Sequence, residues 1–121
     1  GLHARLNDLF ISHMDGAEGS IFAGAGVPCA KLARFTCKSN LVGSEFLAGI
    51  PGTVGGALAM NAGCYGGETW NIVERVQVIK RSGNIIERKV DDYRIEYRSV
   101  ARKLGIENGV DEEWFVGDWF R

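Results

Sequence analysis

One arginine in this sequence stands in a setting suited to chemistry, in the triplet Tyr97-Arg98-Ser99. It follows an aromatic residue just after a polar turn, so packing on one side can hold the guanidinium rigidly. A permanently charged, oriented arginine suits a carboxylate or a developing enolate oxygen. A surface ion pair with Glu96 or Asp92 is the competing interpretation. The triplet alone leaves both open.

A second candidate is the glycine-rich stretch of residues 49–68, in which seven of the twenty residues are glycine. Glycine loses more backbone freedom on folding than any other residue, so the cluster indicates special backbone angles or close approach to another surface. Bare N–H groups in a glycine loop can point at phosphate oxygens. The apolar run 54–60 predicts a short helix with Thr53 as its N-cap. A tightly turned core crossing without a ligand is the alternative.

Other kinds of chemistry find little support. His3 and His13 lie in a weakly patterned start with no carboxylate cluster at ligand spacing, so no metal site is expected. Cys29, Cys37 and Cys64 are too few and too irregularly spaced for a disulfide framework, a zinc site or a redox pair. No serine stands in a nucleophile-elbow pattern, and Cys64 has no histidine near it in sequence. Covalent catalysis is therefore not expected.

Composition bounds the class of protein. The chain has 121 residues, 45% hydrophobic and 24% charged, with a net charge of −1. This length suits one domain with a real core. The absence of a basic excess argues against a nucleic-acid partner. No apolar stretch approaches membrane-spanning length and no leader pattern opens the chain, so we expect a reducing, cytoplasmic setting and no membrane partner.

The strand and helix patterns that must position these residues predict an α+β domain on a mostly antiparallel sheet with short helices. Helical spacing covers residues 28–39, and Ser44 is a candidate cap for a short helix ending at Gly49. A hairpin is predicted over 72–80 and 85–90, with Val76 and Val78 on one face. Residues 4–7 suggest the end of a strand, and 101–104 suggest a helix. The strand over 114–120 is expected to be interrupted, with an exposed edge and an unpaired aromatic face.

The glycine-rich stretch also carries a family resemblance. Residues 48–57 read AGIPGTVGGA and residues 60–68 read MNAGCYGGE. This long motif closely resembles the signature of the UDP-N-acetylenolpyruvoylglucosamine reductase family. Further matches are Gly24-Ala25-Gly26-Val27, Leu32-Ala33, Glu45-Phe46-Leu47 and Tyr97-Arg98. Two positions depart from the family pattern, because serine stands two rather than three residues after Tyr97, and Glu96 replaces a common glycine.

The resemblance implies a fold and a domain organisation. Family members hold FAD between two α+β subdomains of the vanillyl-alcohol-oxidase type, and a third domain covers the substrate. By this comparison residues 1–121 are expected to be the second flavin subdomain alone. The first flavin subdomain would precede Gly1 and the substrate domain would follow Arg121. The chain by itself is then expected to be inactive and to bind FAD weakly or not at all.

The resemblance also implies site residues. Arg98 would be the catalytic arginine, and Tyr97 with Arg98 would contact the substrate. The segment lying against the flavin would comprise Gly49, Ile50, Gly52, Thr53, Gly55, Gly56, Asn61, Ala62 and Gly63.

The implied activity is a two-step reduction in peptidoglycan synthesis. NADPH reduces FAD, and hydride then passes to the enolpyruvyl group of UDP-N-acetylglucosamine enolpyruvate, giving UDP-N-acetylmuramate. A fixed arginine would stabilise the negative charge that develops on the substrate. Two other readings remain, namely a non-catalytic nucleotide- or flavin-binding module and an FAD-dependent oxidase domain with another substrate.

Overall fold

The computed structural model describes residues 1–15, 18–39, 43–64, 66–103 and 112–121. Within these ranges a five-stranded sheet carries short helices against one face, and two small hairpins complete the fold. The large sheet has the order β1-β2-β9-β5-β6, and each neighbouring pair is antiparallel. The predicted α+β class with a mostly antiparallel sheet is therefore confirmed.

The strands of the described chain are β1 (Leu9–Asp15), β2 (Glu18–Gly24), β3 (Gly63–Cys64), β4 (Gly67–Glu68), β5 (Val73–Lys80), β6 (Ile85–Lys89), β7 (Tyr93–Glu96), β8 (Ser99–Arg102) and β9 (Glu113–Phe120). The α-helices are α1 (Leu2–Arg5), α2 (Cys29–Lys38) and α3 (Val54–Met60), and single 3₁₀ turns occupy Glu45–Gly49, Thr69–Asn71 and Val90–Asp92. No helix in the described ranges is long and apolar enough to cross a membrane.

The hairpin of β5 and β6 forms as its sequence predicts. Val76 and Val78 are buried on one face, as the alternation of β-branched and polar residues requires. The chain reverses between Lys80 and Asn84, where the Gly83 amide donates to the Lys80 carbonyl at 2.8 Å. Gly83 adopts a φ of +93°, which glycine accepts without steric cost.

Strand β9 was expected to leave an exposed edge, and this expectation is wrong. It lies in the interior of the sheet, between β2 and β5. Its Trp119 is buried, with its ring 5.0 Å from that of Phe22 and the Arg75 guanidinium 3.9 Å from its centroid. Pairing with β5 along its length and with β2 at its C-terminal half covers Trp119 and Phe120 within the chain, while Trp114 keeps 48% of its surface accessible.

Two local expectations are also corrected. Residues 4–7, read as the end of a strand, belong largely to α1 and the turn after it, where the Leu6 amide donates to the Leu2 carbonyl. Ala101 and Arg102, predicted to be helical, belong to β8 and pair with Arg94 and Tyr93 of β7. Cross-strand pairing outweighs their helix propensity. Residue 104 of that predicted helix lies outside the described residues.

The core lies between the large sheet and the helices. Strands β2, β5 and β9 contribute Ile21, Val76 and Phe120, while α2 and α3 contribute Leu32 and Leu58. Helix α2 begins after Pro28, whose fixed φ suits a helix start, and its buried residues recur at helical spacing as predicted. This packing holds α3 rigidly, with its other face left open.

Candidate functional site

Helix α3 is built to bury one side and expose the other. Thr53 caps its start, accepting a hydrogen bond from the Gly56 amide at 3.5 Å, as the sequence predicts. Val54 and Leu58 are buried, whereas Gly56 is exposed and Met60 keeps 51% of its surface accessible. The exposed side of the helix is thus nearly bare, with one flexible apolar side chain at its end.

The loop before α3 is fixed by backbone pairing to the start of α2. The Cys29 amide donates to the Gly52 carbonyl at 3.0 Å, and the Val54 amide donates to the Val27 carbonyl at 2.8 Å. Gly52 has a φ of +93°, which disfavours any residue with a side chain. The amides of Gly52 and Thr53 have no acceptor among the described residues. The loop is therefore fixed in position, and the Gly52 and Thr53 amides remain available to donate hydrogen bonds to a ligand.

A cleft of about 690 Å³ opens beside this loop and the bare side of α3. The segment between the start of the loop and β4 forms most of its wall, and the turn between β7 and β8 completes it. Ten of the eleven residues predicted from the sequence line this cleft, namely Gly49, Ile50, Gly52, Thr53, Gly56, Asn61, Ala62, Gly63, Tyr97 and Arg98.

Six of the seven glycines of the stretch fall into two groups. A Cβ atom on Gly52 or Gly66 would meet nothing within 4 Å, and one on Gly56 would meet only the Thr53 hydroxyl at 3.9 Å. All three line the cleft, so side chains there would take up space within it. These positions keep bare backbone facing the cleft.

The other glycines permit close packing within the fold. A Cβ on Gly55 would lie 3.0 Å from the Ala25 side chain, and Gly55 does not line the cleft. A Cβ on Gly63 would lie 2.8 Å from the Gly67 carbonyl oxygen, and one on Gly67 would lie 2.7 Å from the Phe46 ring. The alternative of tight core crossings therefore holds for part of the stretch.

Tyr97 and Arg98 form the two-residue turn between β7 and β8. Arg98 has a φ of +53°, which is uncommon for a residue with a side chain and costs about 1–2 kcal/mol. Its guanidinium lies 5.5 Å from the Tyr97 ring centroid. Neither Glu96 nor Asp92 forms an ion pair with it, and within the described residues no other acid does. The ion-pair interpretation thus finds no support.

The sequence reading missed several residues of the cleft, which are Pro51, Ala57, Met60, Cys64, Gly66, Gly67 and Glu68. Most belong to the motif already singled out, so contiguity with it was the available signal. Glu68 adds the second charged side chain of the lining besides Arg98. The described ranges hold no group of three or more His, Cys, Asp or Glu side chains able to bind a metal ion.

The cleft suits a flat, partly apolar ligand that carries anionic groups. Its wall combines bare backbone at Gly52, Gly56 and Gly66 with the exposed apolar side chain of Met60. A planar ring can lie close to backbone only where side chains are missing. Unpaired amides can donate to phosphate or carbonyl oxygens. A flavin dinucleotide has both properties.

Comparison with known proteins agrees with this geometry. The chain is 61% identical over 120 residues to UDP-N-acetylenolpyruvoylglucosamine reductase of Nitrosomonas eutropha, covering 99% of this chain and 36% of that protein. The reductase of the same name from Nitrosospira multiformis is 54% identical, covering 98% of this chain and 38% of the relative. The chain thus spans little more than a third of the length of these relatives.

A solved structure supports the same conclusion. UDP-N-acetylenolpyruvylglucosamine reductase from Thermus caldophilus superimposes with a TM-score of 0.68 at 27% identity, over 89% of this chain and 36% of the other. The resemblance read from the motif is confirmed by these relatives. A family model described as FAD binding domain matches residues 2–88. The chain belongs to this FAD binding domain family.

Proposed function

We propose that this chain forms one wall of the flavin site in an NADPH-dependent reductase that converts UDP-N-acetylglucosamine enolpyruvate to UDP-N-acetylmuramate in the cytoplasm. The observation that carries the proposal is a single cleft that joins the bare backbone of α3 and its flanking loops to the Tyr97–Arg98 turn. Residues 1–121 then act as the second flavin subdomain, and the first flavin subdomain and the substrate domain belong to other parts of the protein.

Backbone and small side chains would hold the cofactor. The amides of Gly52 and Thr53, which have no acceptor among the described residues, can donate to its oxygens. Gly56 lets the ring system approach the exposed side of α3. Met60, with 51% of its surface accessible, covers an apolar part of the ring. Bound there, FAD reduced by NADPH supplies the hydride for the enolpyruvyl double bond.

In this proposal Arg98 stabilises negative charge on the substrate. Negative charge grows on the carboxylate side of the substrate as its double bond is reduced. A guanidinium already held at the cleft stabilises that charge without reorganising. Tyr97, with 81% of its surface accessible, offers a ring against which the substrate can pack. The group that protonates the product is expected in the substrate domain.

The proposal is tested by the colour of a full-length protein that contains this segment. We expect it to purify yellow, and its flavin absorbance to bleach when NADPH is added without oxygen. Adding UDP-N-acetylglucosamine enolpyruvate should then restore the colour with one equivalent of product formed. A colourless protein would favour a non-catalytic module. Bleaching by NADPH without reoxidation by this substrate would indicate a flavoenzyme that acts on something else.

A bulky side chain at Gly56 should displace the flavin. We expect Gly56→Leu to weaken FAD binding at least about tenfold, because the new side chain projects into the cleft. Ala59→Leu is the matched control, since Ala59 is exposed on the same helix but does not line the cleft. Flavin titration of both apoproteins measures the effect. Equal affinities in the two variants would show that the flavin does not lie against α3.

A further inference from the structure

Asn61, which ends α3, occupies an unusual position for a cleft residue. Its backbone is left-handed, with a φ of +46° and a ψ of +52°, and its surface is 5% accessible. A buried asparagine must satisfy its amide within the protein. Its side chain therefore has partners in the fold, and these partners show what it holds together.

Every polar group of the Asn61 amide is engaged. Its Oδ1 accepts from the Trp70 backbone amide at 3.2 Å. Its Nδ2 donates to the Glu68 carboxylate at 3.1 Å and to the Glu96 carbonyl at 3.4 Å. The orientation of the amide is fixed chemically, because one partner can only donate and the other two can only accept. Exchanging oxygen and nitrogen would break all three bonds.

These bonds join four elements at one point, one of them the 3₁₀ turn Thr69–Asn71 that contains Trp70. Asn61 belongs to the end of α3, Glu68 to β4 and Glu96 to the last position of β7, directly before the Tyr97–Arg98 turn. Within the described residues, the bond to Glu96 is the one hydrogen bond that reaches residues 96–99 from outside the β7–β8 hairpin. It therefore lies where the free end of the β7–β8 hairpin meets the cleft wall.

A second contact holds the base of the same hairpin. The Trp70 indole donates to the Leu58 carbonyl of α3 at 2.7 Å, and its ring packs 5.0 Å from that of Tyr93, the first residue of β7. Trp70 thus ties the start of the hairpin to α3. Ile95 and Val100 pack against the core as well, so hydrophobic contacts hold the body of the hairpin. The residues beyond them, 96–99, form the tip that the Asn61 bond reaches.

We propose that Asn61 is the positioning residue that fixes the Tyr97–Arg98 turn at the cleft, through its hydrogen bond to the Glu96 carbonyl. This inference rests on the proposed function for its catalytic consequence, but its structural content stands on the bonds themselves. Arg98 already carries the cost of a positive φ, so its placement depends on neighbouring residues that prevent the turn from relaxing. Asn61 supplies that restraint from the same helix that lines the flavin wall.

Two substitutions distinguish the effect of the Asn61 side chain from that of its left-handed backbone. Asn61→Gly keeps the left-handed conformation without strain and removes all three hydrogen bonds. Asn61→Asp keeps the size and the acceptor for Trp70, but places an oxygen against the Glu68 carboxylate and the Glu96 carbonyl. Both should release the turn. Thr36→Val is the control for simple loss of a buried hydrogen bond, because Thr36 bonds Ser44 and the Ala33 carbonyl away from the cleft.

The experiment is amide hydrogen exchange on a full-length protein containing this segment, without substrate. In both Asn61 variants we expect residues 96–99, at the tip, to exchange about five- to tenfold faster, as loss of a partly buried hydrogen bond implies. Residues 73–80 of β5 should be unchanged, and Thr36→Val should leave the hairpin unaffected. Hairpin exchange at the wild-type rate in Asn61→Gly would overturn the proposal, as would equal acceleration in β5.

Turnover gives the catalytic readout. We expect kcat to fall about ten- to a hundredfold in Asn61→Gly with normal flavin content, since a misplaced group loses that much. If exchange rises but kcat does not change, the turn is released without consequence and the positioning role is refuted. Should Arg98→Ala also leave kcat unchanged, the proposed function fails, while the exchange result still reports on the hydrogen bond.

Discussion

Replacing Arg98 by alanine should lower the turnover of a full-length reductase containing this segment by about 10²–10³-fold, with flavin content unchanged. Arg98 lines the cleft and has no ion-pair partner among the described residues, so its charge remains available to a substrate. The measurement is single-turnover reoxidation of the reduced enzyme by UDP-N-acetylglucosamine enolpyruvate, which isolates the step that the proposed function assigns to Arg98. Reduction by NADPH should proceed normally.

Three further variants sharpen this test. Arg98→Lys keeps the charge but loses the planar fork, so we expect partial activity. Arg98→Gly should be as inactive as Arg98→Ala although it relieves the positive φ, which separates charge from backbone strain. Arg94→Ala is the matched control, because Arg94 is exposed on the same hairpin and does not line the cleft. Comparable losses at Arg94 and Arg98 would reduce the role of Arg98 to surface charge.

The sequence predicted the local elements of this site well. Thr53 as N-cap, the helix over 54–60 and the β5–β6 hairpin all follow from short-range rules of capping and alternation, and the structure contains them. The grouping of residues 49–63 with Tyr97 and Arg98 came from the family motif. Nothing in residue spacing alone states that a turn more than thirty positions away reaches the end of α3.

Long-range pairing explains what the sequence could not supply. Strand β9 has the same alternation at an edge as in the interior, and its central place follows from pairing with β2 and β5, which are distant in sequence. The glycines show the same limit, because composition cannot separate Gly55, packed on Ala25, from Gly56, which faces the cleft. Both distinctions depend on which surfaces the tertiary fold brings together.

Because β9 lies inside the sheet, it also buries the carboxyl group of Asp118. This residue lies opposite Ala23 and Val76 in the sheet and is fully buried, and neither carboxyl oxygen has a hydrogen-bond partner among the described residues. Burial raises the pKa of the Asp118 carboxyl well above its ordinary value. Burial, and next the charge of Asp118, also raises the pKa of the Cys29 thiol to about 11. An unpaired buried carboxyl destabilises the fold whenever it must be charged.

Stability should therefore depend on pH through Asp118 in a definite direction. The folded chain binds this proton more tightly than the unfolded chain, whose aspartate has a pKa of about 3.9. The contribution of Asp118 is fully present below that value and is lost as the pH rises toward the folded-state pKa. Glu113 has the opposite behaviour, because its hydrogen bond with Arg88 lowers the pKa of its carboxyl. The Glu113 contribution is the same in wild type and in Asp118 variants, so it cancels when their free energies of unfolding are subtracted.

Asp118→Val should therefore stabilise the chain by about 1–4 kcal/mol near pH 8, and by clearly less near pH 5, because an apolar β-branched residue suits an interior strand and needs no proton. Asp118→Asn keeps the shape and removes the titration, so its gain over wild type should also grow with pH, while its own unpaired amide keeps it less stable than the valine variant. Urea unfolding of the three proteins at both pH values measures these differences. A gain that stays constant with pH, or is larger near pH 5, would show that the Asp118 carboxyl finds a partner or water that stabilises its charge within the fold.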